Sequence, residues 1–266
     1  MISIEVKDVD LGYGKKKIIK DANIKIEEGS FVSIIGPNGS GKSTLLKGLC
    51  RILKPTKGNI ELYGEDIFKI PTKKVAQKIA ILPQVRNIAS DVTVEKLVSF
   101  GRHPHLSFGE RIDKDDRKII DWAIEVTKLD SLRKRYVNTL SGGEGQRAWI
   151  AMALAQDPKV LLLDEPTTFL DISHQLDVLE TIKKLNKDLG LTVVMVLHDI
   201  NQAVRYSDYI CAIKEGAIVK YEESHKIMSG STLEEIFEIE GNIYRDIKND
   251  CPFFIPQKTI CKNSHI

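Results

Sequence analysis

The chain has 266 residues, 42% of them apolar and 29% charged, with a formal net charge of +2, an ordinary soluble globular balance. The longest buried-looking runs, KVLLLDE and LTVVMVLHD, fall far short of the roughly 18 apolar residues a membrane span needs, which excludes a spanning segment. The charge total argues neither way on nucleic acid, and four cysteines without CxxC or zinc spacing read as free thiols of a reducing compartment.

The N-terminus, MISIEVKDVD, already alternates like a strand and has no basic or apolar leader, so the chain is expected in the cytosol. IEVKDVD and NIKIEE alternate. FVSIIG (31–36), KVLLLD (159–164) and TVVMVLHD (192–199) are short apolar runs of the kind buried on both faces of a parallel sheet. Each of these three ends at a polar residue followed by helical sequence, and in open α/β sheets ligands sit at those strand ends.

Residues 93–155 differ. TVEKLVSFGR, DKDDRKIIDWAIEVTKL and GQRAWIAMALAQD carry apolar residues at three- and four-residue spacing, which predicts a helical insertion. IVKYEE predicts a further strand and TLEEIFEIE a short helix. CPFFIPQKTICKNSHI is a weakly patterned tail that could pack on the core, contact a second copy or stay disordered.

The stretch GPNGSGKST (36–44) matches G-x-x-x-x-G-K-[ST], follows a strand and opens a helical pattern. Its nine residues, Gly36, Pro37, Asn38, Gly39, Ser40, Gly41, Lys42, Ser43 and Thr44, are the candidate phosphate loop. The glycines let backbone N–H groups cradle a β-phosphate at a helix N-terminus. Lys42 reaches the β/γ oxygens, and the Ser43 hydroxyl is a magnesium ligand. LLLDEP (161–166) supplies the other half of an NTPase site: Asp164 as the magnesium-side carboxylate and Glu165 as the base that polarises an attacking water. His198, closing a third strand expected to be parallel to the first two, is read as a γ-phosphate contact.

A second glycine-rich stretch, LSGGEGQR (140–147), has no lysine and no strand before it. Together GPNGSGKST, Gln84 in ILPQ, LSGGEGQR, LLLDEP, the LD of TTFLD (167–171) and the histidine of VLHD resemble, in type and order, the ATPase subunits of ABC transporters. The resemblance runs from about residue 2 to about residue 240. It implies a P-loop NTPase core of α/β class with a parallel sheet, a small antiparallel β region and a helical subdomain inserted at about 88–157. That ATPase domain would span 1–242, with 243–266 a tail of unassigned role.

The resemblance further implies ATP with Mg2+ and a head-to-tail dimer, in which Ser141, Gly142 and Gly143 of one copy meet the γ-phosphate held by the other. The second loop then needs no lysine, because the facing subunit supplies one. Gln84 would join sheet core to helical insertion and sense magnesium and water, Asp171 would reach across the dimer, and Tyr13 in LGYGKKK would stack on adenine. Many family members have glutamine where Glu144 stands.

TTFLDISHQ, TVEKLVSFGRHPH and HDINQAVRYSD look like the importers of iron–siderophore complexes, haem and vitamin B12. In that branch the chain would work on the cytoplasmic face of the membrane. The helical insertion and VRNIASDVTVEKL would receive a helix of a separate permease, and an extracytoplasmic binding protein would deliver the chelate; no nucleic acid is involved. A metal set of His103, His105 and His174 is poorly supported by its spacing. The rival readings are a soluble ABC ATPase of DNA repair or translation and a nucleotide-binding scaffold without turnover. No sustained heptads and no second ATPase domain support the first, and the presence of Lys42, Asp164, Glu165 and His198 argues against the second.

Overall fold

The computed structural model describes residues 1–84, 89, 91–107 and 109–260. In chain order the elements are β1 (Ile2–Tyr13), β2 (Lys16–Glu27), β3 (Phe31–Ile35), α1 (Lys42–Leu49) and β4 (Lys57–Leu62), then β5 (Glu65–Asp66), α2 (Thr72–Ala76) and β6 (Ile79–Leu82). Next come α3 (Val94–Ser99), α4 (Lys114–Val126), α5 (Gly142–Ala155), β7 (Val160–Asp164), α6 (Ile172–Leu189) and β8 (Thr192–Val196). The chain closes with α7 (Ile200–Tyr206), β9 (Tyr209–Lys214), β10 (Ala217–Glu223), α8 (Gly230–Phe237), β11 (Ile239–Asp246) and β12 (Cys251–Thr259). It divides into two compact units, Met1–Gly64 with Met195–Ile266, and Glu65–Val194.

In the first unit, the alternation of the N-terminal sequence becomes an antiparallel layer. β1 pairs with β2 (Ile4 opposite Ile26, Val6 opposite Ile24) and with β4 (Ile4 opposite Leu62, Val6 opposite Ile60). Those side chains are all buried, so the period of two selects one core-facing side. The continuous apolar run of β3 is buried at every position and pairs in parallel with β9, Val32 opposite Tyr209 and Ile35 opposite Ala212. β9 continues antiparallel into β10. The N–H of Leu197 donates to the Ile34 carbonyl (3.1 Å), so His198 leaves its strand at the same end at which Gly36 leaves β3.

In the second unit, β6 and β7 pair in parallel, Ile79 opposite Val160 through Leu82 opposite Leu163. Between them run α3, α4 and α5, with no named strand among the described residues of that stretch. Two polar ties fix these helices. Asp113 caps α4 in a reciprocal box with Asp116. The same Asp116 carboxylate accepts from Arg102 Nε (2.8 Å), whose Nη1 donates to the Ala155 carbonyl ending α5. Burial pushes the Asp116 carboxyl up, but the guanidinium and the Asp113 N–H outweigh it and hold the group below the usual range. Among the described residues no three His, Cys, Asp or Glu side chains converge as a metal-ligand set. His105 Nε2 instead lies 2.8 Å from the Gln156 carbonyl.

The end of the chain differs from its sequence pattern. The helix in TLEEIFEIE stops at Phe237. Glu238 takes a left-handed φ of 58°, and Ile239 already begins β11. The weakly patterned tail folds as the second strand of a hairpin, with Ile243 opposite Phe254 and Tyr244 opposite Phe253. Phe254 is buried, and the Asn201 side chain clamps its backbone, accepting from its N–H (2.7 Å) and donating to its carbonyl (3.1 Å). Pro252 and Pro256 masked the strand in the sequence; both are tolerated because the two-stranded sheet leaves one side of each strand without ladder bonds. No described helix is long and apolar enough to cross a membrane.

Candidate nucleotide site

In the first unit the glycine-rich loop connects β3 to α1. Gly36 has φ 146°, and a Cβ there would sit 2.0 Å from the Ile213 carbonyl oxygen, so no other residue fits. Lys42, buried, bends back so that its Nζ donates to the carbonyls of Gly36 and Pro37, both at 3.0 Å. The ammonium therefore stays inside the loop's curl. Gly41 caps α1 without a side chain, which leaves first-turn N–H groups suited to an anion. The Ser40 hydroxyl is buried without a hydrogen-bond partner among the described residues. A cavity of about 290 Å³ borders the loop at Pro37, Asn38, Gly39 and Ser40. Tyr13 ends β1 at the tip of its hairpin with β2 and is half exposed, the setting of a stacking platform. His198 is exposed, immediately before Asp199, the cap of α7.

In the second unit, the parallel register that sets Leu82 opposite Leu163 carries Gln84 and Glu165 side by side, two residues beyond. Gln84 Nε2 donates to Glu165 Oε2 at 2.6 Å, and the Thr168 hydroxyl donates to the same oxygen at 3.1 Å. Glu165 itself has φ 51°, a left-handed backbone that costs a non-glycine residue roughly 1 kcal/mol or more and recurs where side chains must be aimed. Asp164, the last residue of β7, is buried. Gln84 and Glu165, each expected at the attacking water, are thus in contact. Thr168 had no sequence signal and joins them.

The second glycine-rich stretch starts α5, with Ser141 as its cap. Glu144 N–H donates to Ser141 Oγ (3.3 Å), and Glu144 Oε2 accepts from the Ser141 N–H (2.8 Å). This is a reciprocal capping box, legible in S-x-x-E though not read from it, and it gives the unusual Glu144 its role. The Ser141 backbone and hydroxyl hold the Glu144 carboxyl below its ordinary value. Ser141, Gly142, Gln84 and Glu165 line a common cleft of about 500 Å³.

Asp171 caps α6. Its Oδ1 accepts from the His174 N–H and the Ser173 hydroxyl, each at 2.9 Å, and the His174 Nδ1 lies 2.8 Å from both carboxylate oxygens. These contacts, the His174 backbone N–H first, pull its pKa down to about 2. In the segment VRNIASDVTVEKL, residues Val85, Arg86, Asn87, Ile88 and Ser90 lie outside the described residues, as does the tail from Cys261.

The ABC transporter family model matches residues 19–168. The iron(3+)-hydroxamate import ATP-binding protein FhuC of Bacillus subtilis is 44% identical, covering 95% of this chain and 94% of its own. The petrobactin import ATP-binding protein FpuC of Bacillus anthracis is 46% identical (96% and 93%), and the ferric enterobactin transport ATP-binding protein FepC of Escherichia coli 42% (94% and 92%). Among solved structures, a chain of an inward-facing ABC transporter assigned to the metal-chelate type superposes with TM-score 0.85 at 27% identity, covering 97% of this chain and 98% of its own. The dimeric cassette MJ0796 gives TM-score 0.72 at 33% identity (83% and 98%). With its glycine-rich loop, its DE strand end and its serine-capped signature helix, matched over nearly the whole length, this chain belongs to the ABC transporter family and is an ATP-binding ATPase of it.

Proposed function

We propose that the chain is the ATP-hydrolysing subunit of an importer of metal chelates, working as a head-to-tail pair beneath a separate membrane permease. The cargo reading is supported by relatives aligned over more than nine-tenths of the chain, which are ATP-binding proteins of iron(3+)-hydroxamate import, petrobactin import and ferric enterobactin transport. The dimeric cassette supports the pairing. The rival assignment to DNA repair or translation finds no relative of that kind among these. Domain limits follow the same reading: an ATPase domain over 1–242 with its helical subdomain at about 88–157, and a tail of unassigned role over 243–266, although the hairpin strand Ile239–Asp246 runs across that limit.

The observation that carries the hydrolytic role is the Gln84–Glu165 contact at the strand ends. Lys42 and the loop Gly36–Thr44 bind the phosphates, with Tyr13 beneath the adenine. Glu165, aimed by its left-handed backbone and held by Gln84 and Thr168, accepts the proton of the attacking water. His198 contacts the γ-phosphate. Ser43, Asp164 and Gln84 are the proposed holders of magnesium. The donors are all hard oxygens, and Gln84, whose Nε2 is spent on Glu165, has Oε1 for a cation. When bound, that ion neutralises charge on the β and γ oxygens. Ser141, Gly142 and Gly143 offer a hydroxyl and helix N-terminal N–H groups to the γ-phosphate of the other copy, and Asp171 reaches across the pair. Loss of the γ-phosphate removes those bridging contacts, so turnover reopens the pair. An extracytoplasmic binding protein would feed the permease, and the chain would sit on the membrane's cytoplasmic face.

The test is uptake of radiolabelled ferric siderophore by cells in which the gene is deleted and complemented. Wild type restores uptake, whereas Lys42→Ala and Glu165→Gln do not. Deletion without effect on any ferric chelate, haem or cobalamin overturns the cargo assignment.

A further inference from the structure

We propose that His174 is a positioning residue for the trans site: its imidazole locks the signature glycine Gly143 to the crossing aspartate Asp171, so that two groups meant for the partner's nucleotide move as one. The inference rests on the paired reading above and adds a residue to it.

The contact is unusually close on the glycine side. A Cβ built on Gly143 would lie 2.1 Å from His174 Cδ2, 2.7 Å from Cγ and 2.9 Å from Nε2, so the ring occupies the space that any other side chain at 143 would need. On the other side the ring is held by its hydrogen bond to Asp171, Nδ1 lying 2.8 Å from both carboxylate oxygens, and the His174 backbone N–H adds a third bond to the same group. A carboxylate only accepts, so the ring carries its proton on Nδ1, and the tautomer and ring plane are fixed together. Gln175 pins the next link by donating from Nε2 to the Leu170 carbonyl (2.9 Å). The low pKa of Asp171, about 2, keeps the acceptor ionised throughout the working range.

The two ends of this bridge lie at the N-termini of two helices: Gly143 is in the first turn of α5 and Asp171 caps α6. Neither helix N-terminus dictates the position of the other through its own backbone bonds. The imidazole does. A displacement of about 1 Å at a reacting site can cost on the order of a hundredfold, so a device that keeps Ser141–Gly143 and Asp171 in mutual register has a direct effect on closure. It also accounts for the second glycine of SGG and for His174 as one paired choice.

The experiment uses the full chain carrying Glu165→Gln, with ATP-driven dimerisation followed by light scattering and monomer affinity by a fluorescent ATP analogue. His174→Ala leaves monomer affinity at the parental value and raises the ATP concentration for half-dimerisation by roughly tenfold or more. His174→Asn, which keeps a donor for Asp171 but not the ring against Gly143, falls between the two, and it carries the comparison if the alanine variant loses thermal stability. Gly143→Ala abolishes dimerisation, and the double variant Gly143→Ala/His174→Ala dimerises better than Gly143→Ala alone, because the obstructing ring is gone. Parental dimerisation by His174→Ala, or a double variant no better than Gly143→Ala, overturns the inference while the proposed function stands. Failure of the Glu165→Gln parent to dimerise with ATP overturns the paired reading, and the inference falls with it.

Discussion

Asp171 shows how an exposed carboxylate is committed to one state by its neighbours. Its pKa is drawn down to about 2 by the His174 N–H, the His174 ring and the Ser173 hydroxyl. A depressed acid contributes stability that is present above its unfolded value of 3.8 and lost as pH falls through the folded value. The α6 cap is therefore intact at every pH down to about 4 and gives way between there and about 2. Carbon-detected NMR of the carboxyl should place the wild-type midpoint near 2 and move it upward in His174→Ala; a wild-type midpoint near 3.8 would refute the cap. At the other capped helix, Ser141→Ala removes the acceptor of the Glu144 N–H and should cost about 1 kcal/mol. In a chain of this size that is a fall of roughly 2–4 °C in Tm. Glu144→Gln keeps an acceptor for the Ser141 N–H and should leave Tm nearly unchanged, since the box works with either residue. A drop as large as that of Ser141→Ala would show that the charge, not the hydrogen bond, carries the box.

At the scale of elements, the parts most legible in the sequence were those where period and burial agree. The five-residue runs of β3, β7 and β8 are buried at every position, and short β-branched or leucine runs bounded by turn or polar residues suit such covered strands. The tail was illegible because two prolines interrupt its weak pattern, whereas an isolated ribbon with open edges tolerates them. Its anchoring depends on a side chain far away in sequence, Asn201, which no local pattern announces. Asn201→Ala should leave Phe254 with unclamped backbone groups and speed amide exchange across β11 and β12 while the exchange of β3 and β9 stays unchanged. Uniform acceleration would mean that the hairpin is a structural part of the core. Likewise the Arg102–Asp116 pair could not be foreseen from helical spacing, since it joins α4 to a residue fourteen positions earlier in the chain. Both partners are buried, so Asp116→Ala, which strands the guanidinium, should destabilise by about 3–5 kcal/mol. Chemical denaturation of the variant reads this directly.

At the scale of the whole molecule, the candidate site was readable as residue types but not as contacts. The phosphate loop, Asp164 and Glu165 announce themselves by motif. The hydrogen bond from Gln84 to Glu165 arises only when the register of β6 against β7 is known, and the ring of His174 against Gly143 only when two helix N-termini are placed. That division has a consequence for how nucleotide should be felt. The phosphate loop belongs to one compact unit, whereas the signature segment and Asp171 belong to the other. If the signature serves the partner's nucleotide, ADP bound to dilute monomer protects the loop and α1, residues 36–49, from hydrogen exchange and leaves residues 140–147 unprotected. ATP added to the Glu165→Gln variant at high protein concentration should extend protection to residues 140–147 and 169–174. The extension should grow with protein concentration, as a bimolecular contact must. Protection of 140–147 by ADP in dilute monomer would place that segment on the nucleotide of its own chain, and the division of the site between two copies would be wrong.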